Sequence, residues 1–600
     1  MNLAQLIKYE YEDIDLLFLS YLLERKFLCK AQVSYALLAH ASCCTDLVMI
    51  LLEAGFIQYE KLLLLLSQFF GIKQLSSKHN MVVVGNYAEL NDYCKRGYFE
   101  CTDQCNKTFV ISTVCDTKLL IQLVSSYSLE RVLLCRNKDF FFILDSAFQR
   151  YSLAQSTSFV KFINKVSAKN VCYGRLIFLL VCTFYLFLIK INFIFHLINI
   201  AVLVIQNFFK GTLILTSAIK RWENNNAELD YFAEYPCYSI LIPAYKEKHI
   251  ARLLDAVSRF LYPKHKLDVK LLIEQDDDIT NLAIKQYNIP FYVHVVYIPK
   301  SVPRTKPKAM NFAMPYVKGQ YVTVYDAEDI PEPAQLIKSV HAFANLPLDY
   351  VCVQAKLRFY NAKENLLTKL MSIEYSVLFN FLVRGLNLLK FPIPLGGTSN
   401  HFRTSALKQV GCWDAYNVAE DADLGIRIFA HKYKVGVIDS FTSEEAPIDL
   451  SSWIKQRVRW LKGYWQTFFI FVYKRRSYGV KDTIGVISFV GFATYGQLIF
   501  PLAFILTFFA KTPFVQKLWL VNTYISMSYV ILASILGIRA AKLVDHPLQY
   551  IYMIPCYFLY FLLHSIASVF AILELAFAPF QWNKTEHGVS KLTQKWLWKK

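Results

Sequence analysis

Charge is scarce in this chain. Only 18% of its 600 residues are Asp, Glu, Lys or Arg, against about 25% in an average soluble domain. The little there is leans basic: 65 Lys+Arg against 46 Asp+Glu give a formal net charge of +19. With 55% apolar residues, a disordered chain, a collagen and a small disulfide scaffold are excluded. The 14 cysteines lack a regular framework. Cys43 and Cys44 adjoin, and Cys94, Cys101, Cys105 and Cys115 cluster loosely, but no CxxC pair exists to build a zinc site. Free thiols in a reducing compartment are expected. The start, MNLAQLIKYEYEDIDLL, lacks a basic n-region, so no signal peptide is expected. Six hundred residues also exceed one ordinary domain.

The apolar excess is concentrated in long runs. Residues 176–189 are uncharged, and 193–209 follow after Lys190 and Asn192. These read as two spans, the first short enough that Arg175 and Lys190 would snorkel. Residues 484–510, 518–538 and 548–573 are three more charge-free stretches of spanning length. Gly491, Gly496 and Pro501 in the first allow it to lie along the interface instead. Lys220, Arg221, Lys474, Arg475 and Arg476 flank the runs. The positive-inside rule therefore puts the N-terminal region and residues 222–480 on the cytoplasmic side. The basic tail, KLTQKWLWKK, belongs there too, which demands an even number of C-terminal crossings. Three stretches are visible, so either the first, with its glycines, or the last, with Pro555, needs another reading.

Residues 222–480 have normal polarity. Strands are expected at 238–243, 269–274, 291–298 and 321–325, with helices at 248–261 and 309–317. Such alternation predicts an α/β domain with a mostly parallel sheet, and ligands bind such sheets at the carboxyl ends of strands. Asp276-Asp277-Asp278 follows the second strand and Asp326-Ala-Glu328-Asp329 the later one. Asp is also a common turn residue, so either cluster alone can be a solvated strand end. Together they suit a hard divalent cation sharing carboxylate and phosphate oxygens.

Six motifs occur in order: Ile242-Pro-Ala-Tyr-Lys-Glu247, Asp276-Asp277, Lys306-Pro-Lys308-Ala-Met-Asn311, Asp326-Ala-Glu-Asp329, Glu420-Asp421-Ala-Asp423 and Gln456-Arg-Val-Arg459-Trp460. In this set the chain resembles the glycosyltransferase family 2 domain of membrane-integrated enzymes such as cellulose and hyaluronan synthases. The resemblance implies a GT-A, Rossmann-like α/β domain inserted between transmembrane helices. It implies that Pro243, Tyr245 and Glu247 hold the base and ribose of a nucleotide sugar, with Lys246 in the family's Asn position. Asp276 would read the uracil of a UDP-sugar, and Lys308 would lie near the diphosphate. Asp326 and Glu328 would bind Mg²⁺ or Mn²⁺, with Glu replacing the second Asp of the family motif. Asp421 would be the catalytic base, although Ala419 replaces the Thr of the family's Thr-Glu-Asp. Gln456, Arg459 and Trp460 would line the acceptor and contact the diphosphate, and the loop Gly396-Gly-Thr-Ser-Asn-His401 would lie beside the acceptor. His401 is expected to be a polar packing residue. One base and a metal-bound leaving group suffice for inverting transfer, whereas a glycosidase needs two carboxylates about the scissile bond.

Residues 1–160 read as two helical hairpins, 16–37 and 47–70, then a small α/β module with strands near 109–114 and 140–144. This α+β segment resembles the N-terminal domain of type II secretion ATPases, some of which bind cyclic di-GMP. Gly55, Ile57 and Leu62 fit that pattern, but Asp46 and Val48 stand where the ligand-binding version has Arg and Gly, so nucleotide binding is not expected.

The organisation expected is thus 1–160 N-terminal module, 171–219 two spans, 222–480 catalytic domain, 484–578 three or four membrane or interfacial helices, and 579–600 basic tail. The function expected is an inverting hexosyltransferase in a bacterial inner membrane. Its partners are a nucleotide sugar, a glycan or lipid-linked acceptor and the bilayer, with no nucleic acid. It either polymerises and exports a polysaccharide or transfers one sugar to a lipid carrier. A catalytically weak membrane receptor or scaffold is the reading from another class.

Overall fold

A computed structural model describes the chain except residues 1–10, 44–45, 77–80, 114–115, 161–165, 179–191, 221–233, 249, 500–511, 544–548, 583–589 and 591–600. The first expected span, 176–189, and the tail KLTQKWLWKK fall mostly or wholly outside these residues.

The N-terminal region opens with helices Tyr11–Glu24, Lys30–Cys43, Leu47–Glu53 and Tyr59–Phe70. A five-stranded sheet follows, built from β1 (Lys73–Gln74), β2 (Val82–Val83), β3 (Tyr98–Thr102), β4 (Thr108–Ser112) and β5 (Val132–Leu134), in the order β1-β5-β4-β3-β2. The strand expected at 140–144 is instead part of the helix Asn137–Ser156. Its Phe-Phe-Phe-Ile-Leu run imitates a buried strand because that helix is covered on two sides. Phe140 packs on Phe99 of β3, while Phe141 meets His294 of the next domain.

The second sheet has eight strands: β6 (Tyr238–Ala244), β7 (Leu267–Glu274), β8 (Val293–Ile298), β9 (Tyr321–Val324), β10 (Ile330–Pro331), β11 (Tyr350–Phe359), β12 (Asn400–Arg403) and β13 (Lys434–Glu444). They run in the order β10-β13-β11-β12-β9-β6-β7-β8. β8, β7, β6 and β9 are mutually parallel. Every residue of β7 is buried, as expected of a strand covered on both faces. The chain runs outward from β6 through β7 to β8, then crosses to β9 on the other side of β6. The switch of direction therefore lies between the carboxyl ends of β6 and β9, where such sheets bind ligands. β12 enters antiparallel beside β9 and brings the 396–399 turn to the same edge.

Among the described residues, four helices are long and apolar enough to cross a membrane by length and composition: His196–Ile219, Leu366–Leu388, Pro513–Ala541 and Tyr552–Phe577. The second is a correction to the expectation of an ordinary soluble segment throughout 222–480. Lys369, Glu374 and Arg384 interrupt its sequence, but Glu374 is spent on Arg457 at 2.7 Å. Arg384 caps the preceding apolar helix, donating to the carbonyls of Ser217 and Lys220. In the 484–510 stretch, a helix (Val480–Val486) passes into a π-helical turn (Ile487–Gly491) at the glycine. The catalytic sheet thus rests on a bundle of apolar helices, two of which follow it in sequence.

Candidate active site

The carboxyl ends of β6, β7 and β9 open into one cavity of about 580 Å³, a size suited to a small-molecule ligand. Asp326 and Glu328, just after β9, line it, as do Pro243 near the end of β6 and Tyr245 and Glu247 just after it. Asp421 lines it from the first turn of the helix Glu420–Ala430. Gln456, Arg459 and Trp460 enter from the helix Leu450–Tyr473, where spacings of three and four residues put them on one face. Nine of the eleven site residues expected from the sequence therefore share one cavity.

Gly397 is the hinge of the arrangement. A Cβ placed on it would stand 3.3 Å from Asp421 Oδ2 and 4.0 Å from Asp326 Oδ2. The two carboxylates, far apart in sequence, thus close on the same backbone atom. Lys306 joins them, with its Nζ 2.5 Å from Asp326 Oδ1 and 2.6 Å from the Gly397 carbonyl. Gly463 does similar work beneath. A Cβ there would meet the Cβ of Ala419 at 2.3 Å. Two small residues are what let the Leu450–Tyr473 helix press against the turn before Asp421, which accounts for Ala419 in place of the family's Thr.

Lys308 is a correction. It is fully buried and donates to Glu274 Oε1 at 3.0 Å and to Ser301 Oγ at 3.1 Å, outside the cavity lining. The helix Lys306–Ala313 turns it into the core, while Lys306 at the helix start faces the acids. Asp276 also lies off the cavity wall. Arg304 holds it at 2.6 Å and bonds the Tyr245 hydroxyl at 3.1 Å, so Arg304 links it to the cavity. The Arg304 hydrogen bond lowers the Asp276 pKa.

Acids outnumber bases here. Glu444, at the end of β13, and Glu420 add to Asp326, Glu328 and Asp421 along the wall, against Lys306, Arg304 and Arg459. Buried Asp329 lies behind them, accepting from the Asp326 amide at 2.8 Å and from the Thr398 hydroxyl. Burial, with Asp326 and Glu328 nearby, raises its pKa well above the carboxylate range, and the same causes raise Glu444. Burial and Asp421 push Glu420 up to about 8. Asp421 is also raised by burial, opposed by Lys306 and Arg459. It is enclosed by protein while keeping part of its surface on the cavity. Glu420 is therefore largely protonated at neutral pH and Asp421 is the stronger acid of the two, with cations beside it.

The donor set fits a hard divalent ion, since Asp326 and Glu328 offer oxygen ligands only. Among the described residues, no group of three His, Cys, Asp or Glu could hold a metal by itself. Gln456 Oε1 and Arg459 Nε are among the buried atoms of the lining residues that have no hydrogen-bond partner among the described residues. The Arg459 guanidinium lies 4.6 Å over the Trp582 ring, and Trp460 stacks on Tyr375 at 6.1 Å. His401 is a core residue. It is fully buried against the Tyr238 hydroxyl at 2.7 Å, and burial lowers its pKa to about 3.

Lys306, Glu444 and Arg304 did not emerge from the sequence as site residues, and Gly397 stood there only as part of the loop expected beside the acceptor. Lys306 stood two residues from the lysine chosen, and helical phase separates them. Glu444 carried no signal, because only the parallel pairing of β13 with β11 brings it to this end.

Residues 321–566 match the profile of "Glycosyl transferase family group 2". A Bacillus subtilis protein, "Probable glycosyltransferase YdaM", is 28% identical over 283 residues, covering 46% of this chain and 66% of that relative. A rice protein, "Probable glucomannan 4-beta-mannosyltransferase 7", is 28% identical over 239 residues, 38% of this chain and 41% of its own length. The chain thus spans less than two thirds of these relatives. Among solved structures, a mannosyltransferase from Pyrobaculum calidifontis in complex with GDP-Man and Mn²⁺ aligns with 63% of this chain and 99% of its own, at 16% identity and a TM-score of 0.40. Asp326, Asp421, Arg459 and Trp460 all lie within the stretch that matches the glycosyl transferase group 2 profile.

Proposed function

We propose that the chain is a membrane-integrated, inverting hexosyltransferase of GT-A architecture that takes its sugar from a nucleotide diphosphate donor, UDP-linked, and builds and exports a polysaccharide. The observation that carries the reading is the convergence of Asp421 and Asp326 on Gly397 inside one cavity. A base and a diphosphate-handling acid are thereby held side by side on the wall of one cavity. Asp421 takes the proton from the acceptor hydroxyl as that oxygen attacks. Attack from the side opposite the diphosphate inverts the anomeric centre. Asp326 and Glu328 would hold the divalent ion, which supplies positive charge to the departing diphosphate. Arg459, with its Nε unpartnered, donates to the same leaving group, and Trp460 offers an apolar face to the acceptor sugar.

Export is supported by the extent of the cavity, which continues past Trp460 to Tyr529, Tyr557 and His564 of the apolar helices. The basic flanks support a cytoplasmic side for the N-terminal and catalytic regions, in a membrane we take to be the bacterial inner membrane. The test is incubation of the purified full-length protein with UDP- and GDP-sugars, followed by product sizing. Long polymer supports the proposal. A single sugar on a lipid would favour the carrier reading, and absence of any turnover would favour a scaffold.

A further inference from the structure

The loop that delivers Asp421 is anchored at every residue from 413 to 418, and two of its anchors come from the N-terminal side of the chain. Trp413 is held by Asn311: its amide donates to Asn311 Oδ1 at 3.1 Å, and its carbonyl accepts from Asn311 Nδ2 at 2.7 Å. The same Nδ2 donates at 2.8 Å to the carbonyl of Ser156, the last residue of the helix Asn137–Ser156. Asp414 Oδ1 accepts from Ser167 Oγ at 2.7 Å and Oδ2 from the Ala168 amide at 2.6 Å. The Ala415 carbonyl accepts from Thr305 Oγ1 at 2.9 Å, next to Lys306. Lys169 stacks on Tyr416 at 4.8 Å. Asn417 donates to Thr467 at 3.1 Å, and the Val418 amide donates to Gln466 at 3.0 Å.

Asn311 and Asp414 are 1% and 2% exposed. A buried carboxylate costs free energy unless its oxygens are satisfied, and here two groups from residues 167–168 satisfy it. Asn311 belongs to the helix that begins with Lys306. One short helix therefore carries, at its two ends, the lysine that pairs with Asp326 and the amide that ties the Asp421 loop to the N-terminal module. Neither Asn311 nor Asp414 lines the cavity, so neither has a direct chemical part.

We propose that Asp414 and Asn311 are positioning residues through which the N-terminal region, by Ser156 and the 167–168 linker, holds Asp421 and Lys306 in register. The N-terminal module is then a built-in partner of the active site rather than a separate appendage. This inference rests on the glycosyltransferase reading, since the base it positions is the base proposed there.

The test uses the full-length protein in lipid nanodiscs, carrying Asp414→Asn or Ser167→Ala. A misplacement of the base by about 1 Å is enough to cost one to two orders of magnitude. We expect kcat to fall about tenfold while the donor KM moves less than about twofold. Hydrogen exchange should rise at amides 415–421 while the central strands keep their protection. Unchanged kcat and unchanged exchange at 415–421 in both variants overturn the proposal. So does exchange that rises uniformly over the whole sheet with a matching loss of donor binding, which is the mark of a merely structural contact. If the unsubstituted protein transfers no sugar, the glycosyltransferase reading falls, and exchange at 415–421 alone decides the positioning claim.

Discussion

Lys306 Nζ sits 2.5 Å from Asp326 Oδ1, so an ammonium occupies part of the place where the proposed divalent ion would bind. Burial alone would lower the lysine pKa, but Asp326 and Glu420 more than offset it, and the group is held protonated. Asp326 and Glu328 would hold a donor-bound ion in competition with Lys306, which pairs with Asp326 Oδ1. Transfer should vanish in EDTA and return with Mg²⁺ or Mn²⁺. Full activity in EDTA would mean that Lys306 and Arg459 alone balance the diphosphate.

The two lysines of the Lys-Pro-Lys motif should separate cleanly. Lys306→Met removes a cation from the cavity and should lower transfer with little change in melting temperature. Lys308→Met strands Glu274, a carboxyl already raised by burial. Breaking a buried pair costs about 3–5 kcal/mol, so this variant should melt markedly earlier. Thermal denaturation beside initial rates checks both. A Lys308 variant that melts normally yet loses transfer would return the diphosphate role to it.

Asp46 predicts that cyclic di-GMP does not bind the N-terminal module. Its side chain accepts from the amides of Val48 and Met49 at 2.9 and 3.2 Å, capping the helix Leu47–Glu53. An acid spent as a cap offers no donor to a phosphate, and Asp15 and Asp116 add negative charge around it. Titration calorimetry of the full-length protein should show no heat at micromolar ligand. Binding that disappears in Asp46→Ala would prove the cap to be the contact after all.

Much of this site was legible because its chemistry sits in short, ordered motifs. Residues 238–243 declared themselves as a buried strand by their apolar run and 269–274 as a second strand by Leu271-Leu-Ile273, and the acids after the strands followed. β11 and β13 were missed because both mix polar and apolar residues, and their pairing is set by contacts distant in sequence. Residues 366–388 hid a long apolar helix because Glu374 and Arg384 break the run on paper. In the fold each is neutralised by one partner or one helix end. Residues 140–144 were misread since a helix buried on two sides and a buried strand give the same unbroken aromatic run. Lys306 against Lys308 was a matter of helical phase, which two residues of sequence cannot show.

Asp421 should be the one base. Of the three acids in its motif, Asp423 is committed to Arg427, at 2.8 Å from its Nη2 and 3.1 Å from its Nε, and Glu420 is pushed up to about 8 by burial and by Asp421. Asp421 is left facing Gly397 with Lys306 and Arg459 nearby. Asp421→Asn keeps the volume but cannot accept a proton, so transfer should fall by about 10²–10⁴-fold with donor affinity nearly unchanged. Asp423→Asn should chiefly lower the melting temperature. The pH profile adds a second check. A base works ionised, and burial raises this carboxyl above its ordinary value. Kcat should therefore climb with pH along an acid limb whose midpoint lies above about 4, the usual Asp value, and then level off. A midpoint at or below that value, or an Asp421→Asn enzyme that keeps most of its rate while Asp423→Asn loses it, would move the base to another residue.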